Sequence, residues 1–180
     1  MTVLCQATGR PRGLTLVECL MVLTIVALLL GSALPGFGKL TEKRHLEGTV
    51  AQLATDIRHT RSLAVASDGG RRLSFRAGAG GSCYVVHDGP AQACQCEAGG
   101  SVQCTQGATA LRSVFFPAEG PVQVRANVGS ILFHPVHGTS TPTGTLRVVA
   151  RSGATVHQVV NLMGRTRACS PNGVPGFPAC

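Results

Sequence analysis

Apolar residues run almost without interruption over residues 14–34, then recur every third or fourth position, and beyond residue 70 alternate with polar ones. Each regime predicts its own structure. The first is 21 residues long, enough as a helix to cross the roughly 30 Å hydrocarbon core of a bilayer. In the second, Leu46, Val50, Leu53, Ile57 and Ala64 form one apolar helical face. Arg44, Glu47, Gln52, Asp56, Arg58 and Arg61 occupy the other positions. Pro35, Gly36 and Gly38 mark a bend or local loosening between the two halves. The Asp-Gly-Gly at 68–70 is a helix stop. A single helix over residues 14–67 would measure about 80 Å at 1.5 Å per residue; two separate helices are the competing arrangement.

The third regime predicts short strands at residues 71–77, 83–87, 111–116, 122–125, 130–134, 145–150 and 155–162, with a last one at 165–169. Turn-forming stretches (AGAGGS, HDGPAQ, PAEGP, TSTPTG, RSGA) separate them. Residues 88–110 are expected to be the longest loop. One long helix followed by strands, with no βαβ alternation, predicts an α+β chain whose antiparallel β-rich head is laid on the amphipathic half of the helix. The expected divisions are a leader at 1–13, an apolar half-helix at 14–37, an amphipathic half at 38–68 and a head at 69–180.

Charge sharpens the reading of the N-terminal stretch. Arg10 and Arg12 precede the apolar run and no acid does, a bias that keeps the leader cytoplasmic and sends the rest across. Three outcomes fit an apolar run there: a signal peptide cut after Ala33, a plain anchor, or a leader cut after Gly13 that leaves the helix on the mature chain. Glu18, the only charge in the run, favours the third. A carboxylate inside a membrane helix costs about 2.5–3.5 kcal/mol on insertion scales. Cleavage at Gly13 frees an amine at Leu14, which can neutralise the Glu18 carboxylate of a neighbouring subunit in an apolar assembly. The junction Gly13-Leu14-Thr15-Leu16-Val17-Glu18 resembles that of type IV pilins and type II secretion pseudopilins, with Leu14 where phenylalanine is usual. The resemblance implies cleavage by prepilin peptidase, N-methylation of Leu14 and assembly with other pilins.

The full chain carries a net charge of +8, and removing Arg10 and Arg12 leaves +6 from side chains. With only 13% charged residues, it is a lightly charged basic protein, suited to anionic partners such as nucleic acid or lipid headgroups. Of eight cysteines, Cys5 lies in the leader and Cys19 in the apolar run. Cys83, Cys94, Cys96, Cys104, Cys169 and Cys180 remain in the head, and an even number there reads as disulfides in an oxidising compartment such as a periplasm. Fifteen pairings are open; Cys169 with Cys180, closing a Pro/Gly-rich loop, is the simplest. Zinc on Cys94, Cys96 and Cys104 with His87 is the competing chemistry, although the spacing fits no common zinc module.

The segments ILFHPVHGTSTPTGTLRVV and VHQVVNLMGRTRAC resemble the head of the GspH/FimT minor pilin group, in which a glycine-threonine turn and a strand precede a closing Gly-Arg-x-Arg. That resemblance implies a type IV pilin-like fold, a single-pass protein of a bacterial inner membrane with its head in the periplasm, and a place in a pilus. Gly164-Arg165-Thr166-Arg167 matches the motif of DNA-binding members and implies support of DNA uptake in natural transformation. A GspH-like pseudopilin of a type II secretion system is the alternative. In an extended segment Arg165 and Arg167 point the same way, and Gly164 lets the backbone turn or approach a phosphate. Arg147 and Arg151 are expected on adjacent strands, completing a patch for the backbone of double-stranded DNA. No G-x-S-x-G elbow, H-E-x-x-H or P-loop is present, so neither an enzyme nor a cofactor is implied. His134 and His137 read as flanks of a turn rather than metal ligands.

Overall fold

The computed structural model describes residues 13, 15–97 and 99–180, and for residues 32–37 the backbone alone. Residues 1–39 and 40–180 form two compact units. The leader before Gly13, and Leu14 itself, lie outside the described residues.

Helix α1 spans Leu16–Ala66. Its start is capped locally: the Glu18 amide donates to Thr15 Oγ1 at 3.3 Å, and Glu18 stands in the first turn, where the helix dipole favours a carboxylate. Glu18 therefore has a role in beginning the helix besides the one expected of it between subunits. Through the first unit the large apolar side chains, from Leu16 and Val17 to Leu29 and Leu30, are exposed. Among the described residues no helix is long and apolar enough to cross a membrane. Leu14 and the side chains of 32–34, which complete the expected span, are outside that set. The backbone remains helical through residues 35–38.

In the second unit the expected apolar face of α1 is the centre of the core: Leu46, Val50, Leu53, Ile57 and Ala64 are all buried. Asp56 and Thr60 are buried with them, so Asp56 does not belong to the solvent side. The helix ends two residues before Asp68, which adopts a left-handed φ of 46° and closes the last turn.

Among the described residues eleven strands follow: β1 Arg71–Gly78, β2 Gly81–His87, β3 Cys94–Cys96, β4 Val102–Cys104, β5 Ala110–Pro117, β6 Val122–Ala126, β7 Ser130–Phe133, β8 Ser140–Thr141, β9 Gly144–Ala150, β10 Thr155–Val160 and β11 Thr166–Cys169. They form sheets in the orders β5-β2-β1-β7-β8 and β11-β10-β9-β6, plus the pair β3-β4; the paired strands are antiparallel. Leu73, Tyr84, Val86, Ile131 and Phe133 from the first sheet join Val124, Leu146, Val148, Val156 and Val160 from the second in one cluster with the helix. The expected strand at 155–162 stops at Val160, because Asn161 to Gly164 form a turn closed by Gly164 N–H donating to the Asn161 carbonyl.

Residues 88–110 are more than a loop, since they hold β3 and β4. Cys83–Cys96 bolts β3 to β2, and Cys94–Cys104 joins two residues directly opposite in the β3–β4 pair. This small sheet covers the outer side of β2, forming a second cluster of Cys83, Val85, Cys94 and Cys96. Three-residue strands are too short to stand alone; the two crosslinks hold them in place.

Candidate nucleic-acid interface

Gly164 has a left-handed φ of 68°. A Cβ there would run into the Gly138 carbonyl oxygen and lie 2.9 Å from Arg61 Cδ. Arg61 Nε in turn donates to the same Gly138 carbonyl at 2.9 Å. The glycine is thus demanded by the turn and by packing on α1. Being buried, it is not a point of phosphate approach, which corrects the second role expected of it.

After that turn, the Arg165 amide donates to Asn161 Oδ1 at 2.9 Å, and β11 leaves along β10 with Val160 opposite Thr166 and Val159 opposite Arg167. Arg165 and Arg167 are exposed, while Thr166 between them is half-buried. The period-two argument and the geometry agree. Below the pair, Cys169–Cys180 ties the chain's last loop to the end of β11.

Arg147 and Arg151 do not join this pair as expected, because neither is on a strand adjacent to β11. Among the described residues the one strand beside β11 is β10; Arg147 is one strand further, on β9, opposite His157. Arg151 follows the far end of β9, with its guanidinium donating to the Glu119 carbonyl. Nearby, the Ser152 amide donates to Glu42 Oε1 at 2.6 Å and, with Arg151 close by, holds that carboxyl below its usual range.

The neighbour that Arg147 does have is Arg125, directly opposite on β6. Both are exposed and project from the outer side of the four-stranded sheet, where every inward position of β9 is buried. None of the salt bridges among the described residues involves Arg125, Arg147, Arg165 or Arg167. The signal for Arg125 lies in the sequence: residues 121–180 hold five arginines and no Asp or Glu. Its partnership with Arg147 depends on a register between strands 22 residues apart, which local pattern does not carry.

Other arginines serve the fold. Arg112 Nε meets Asp56 Oδ2 at 2.9 Å, and the Tyr84 hydroxyl donates to the same oxygen at 2.6 Å. Burial, reinforced by that carboxylate, pushes the Tyr84 phenol far up from its ordinary value. His87 is buried between Ser74 Oγ, 2.8 Å from Nε2, and the Asp88 carbonyl, 2.6 Å from Nδ1. Desolvation holds its pKa below the usual value. With Cys94, Cys96 and Cys104 each in a disulfide, the zinc reading loses its ligands. His134 and His137 flank a turn in which Gly138 N–H donates to the His134 carbonyl. Among the described residues no group of three His, Cys, Asp or Glu side chains is placed to hold a metal.

An apolar N-terminal helical stretch, an amphipathic helical segment in the core of an antiparallel head, and a head closed by a disulfide-tied C-terminal loop define a type IV pilin-like subunit. The chain belongs to the family described as type II transport protein GspH, which matches residues 49–164. The prokaryotic N-terminal methylation motif matches residues 9–34. The protein is therefore a minor pilin or pseudopilin, of a kind anchored in a membrane and assembled with other pilins. The type IV minor pilin FimU of Pseudomonas aeruginosa (strain PAO1) shares its fold, with a TM-score of 0.53 at 14% identity over 77% of this chain and 98% of that one. The minor pseudopilin EpsH from the type 2 secretion system of Vibrio cholerae superposes with a TM-score of 0.47 at 11% identity, over 71% of this chain and 98% of that one. No curated protein matches the sequence.

Proposed function

We propose that this chain is a minor type IV pilin that binds double-stranded DNA without sequence preference and supports its uptake. The observation that carries the reading is the exposed Arg165 and Arg167, side by side after a turn fixed by Gly164, with no salt-bridge partner among the described residues. Arginine suits the task because its planar fork donates two parallel hydrogen bonds to phosphate oxygens. So few contacts give binding on the order of 10⁻⁴–10⁻⁶ M at physiological salt, raised by several copies along a filament. In this reading prepilin peptidase cuts between Gly13 and Leu14, Leu14 is N-methylated, and residues 14–37 enter the filament core with Glu18 paired to a neighbour's amine. Residues 38–68 and the head at 69–180 stand in the periplasm before assembly at the inner membrane. The head disulfides suit that compartment.

The test is duplex binding by the full chain in non-ionic detergent. Replacing Arg165 and Arg167 together by Gln should weaken binding to any sequence and reduce the slope of log affinity against log salt by about 1.8. A double variant that binds as the parent does at every salt concentration removes the site. Mass spectrometry of the mature chain should find N-methyl-leucine first; a chain beginning at Leu34 revives the signal-peptide reading.

The family description favours one second reading, a GspH-like pseudopilin in protein secretion. Deletion of the gene separates the two. Loss of transformation with normal protein export supports the pilus, and the reverse supports the secretion system.

A further inference from the structure

The register that places Arg125 opposite Arg147 sets two cations on neighbouring strands, about 5 Å apart at Cα. Like charges directly opposite destabilise a sheet. Neither arginine has a salt-bridge partner among the described residues, and residues 121–180 supply no acid. Beside the pair lies a groove of about 460 Å³, lined by Gln123, Arg125, Arg147, Val149, Thr155 and His157 among others. An anion seated between the two guanidinium groups turns the repulsion into two charge-assisted contacts.

We propose that Arg125 and Arg147 form a second phosphate-binding position, and that a DNA duplex lies across the strands from Arg165 and Arg167 to β6. This rests on the DNA-binding reading given above and extends it to a track. Arg147 stands two strands from Arg167 and two residues along, hence about 12 Å away at Cα, and Arg125 about 16 Å. A single DNA strand presents a phosphate every 3.4 Å or so along the helix axis, so one duplex meets both pairs. A lipid surface fits this face less well. Interfacial binding needs apolar side chains to enter the membrane, and the exposed large apolar residues of the second unit, Leu40, Val65, Leu111, Val136, Leu162 and Met163, include none on β6, β9, β10 or β11.

The experiment compares the full chain in non-ionic detergent with R125Q/R147Q, R125K/R147K and R165Q/R167Q, using a 24-base-pair duplex over a range of salt. R125Q/R147Q should reduce the salt slope by about 1.8, so that between 50 and 200 mM it loses about 12-fold less affinity than the parent. R125K/R147K should keep the parent slope, and R165Q/R167Q should lower it independently. A parent-like slope in R125Q/R147Q beside a reduced one in R165Q/R167Q overturns the track and leaves the C-terminal motif standing. A parent that binds no duplex overturns both. Micelles of dioctanoyl phosphatidylglycerol serve as the lipid probe. If R125Q/R147Q loses the micelles while keeping the duplex, the partner is a headgroup surface and the track is wrong. Thermal melting of each variant, unchanged or raised, shows that the slopes report contacts rather than unfolding.

Discussion

The head treats charge in two ways. Within the core, Asp56 on α1 is held by Tyr84 on β2 and Arg112 on β5, an acid whose two partners come from the sheet. On the outer side of the β11-β10-β9-β6 sheet, Arg125, Arg147 and Arg167 share a face without a single acid on its strands. A buried carboxylate left alone would be costly, so its partners are fixed by the fold. Exposed arginines are solvated and need none, so the acid-free face costs the fold little. The same residue type is structural where an acid meets it and available for binding where none does.

The comparison breaks most sharply at Asp56. Its replacement by Ala orphans the buried Tyr84 hydroxyl and removes the partner of Arg112, and should destabilise the head by about 3 kcal/mol. Asp56→Asn, which keeps an acceptor for the phenol, should lose less. Tyr84 is the only tyrosine in a chain without tryptophan, so its fluorescence follows the site directly during urea unfolding. A loss below about 0.5 kcal/mol for Asp56→Ala would show that the buried pair does not anchor the helix.

His87 gives a smaller effect of a related kind. Its pKa is lowered in the folded head by burial, so the unfolded chain takes up a proton first as pH falls. The stability tied to its neutral form is complete above about pH 6.5, the unfolded value, and is lost as pH drops from there through the lowered folded value. Unfolding midpoints should decline across that window in the parent and decline less in His87→Gln. Identical profiles would assign the acid sensitivity to other groups.

The smallest effect has the opposite sign. Arg125→Thr removes one member of the opposed pair and places a strand-favouring residue on β6, so the free head should gain a few tenths of a kcal/mol. It should bind DNA more weakly at the same time. A variant that is less stable than the parent would mean that Arg125 serves the fold after all.

Much of this was legible from pattern. The buried face of α1 follows from spacing alone, and so does the common direction of Arg165 and Arg167. Asp56 departs from the expectation because its polarity points to the solvent side while its position points to the core. Residues 53, 56, 57, 60 and 64 fall on one helical stripe, and only the tertiary partners Tyr84 and Arg112, 28 and 56 residues onward, make a carboxylate acceptable there. The β3–β4 hairpin escaped for another reason. Three-residue strands give too few positions for alternation to show, and it was the cysteines, not the apolar pattern, that encoded them. Arg151, expected on a strand adjacent to Arg165 and Arg167, instead follows the end of β9, which turns it toward the Glu119 carbonyl.

The strict alternation of β9 and β10, inward residue buried and outward residue half-buried or, at Arg147, exposed, bears on how such a subunit changes over generations. Packing constrains every second position tightly, and the half-buried or exposed positions between them more loosely. Lineages can therefore rewrite the charge of the outer surface, one exposed side chain at a time, while the scaffold stays constant. A handful of replacements at 125, 147, 165 and 167 would remove the positive charge of the surface without requiring a compensating change in the core. What the head binds and how it folds are inherited on separate positions of the same strands.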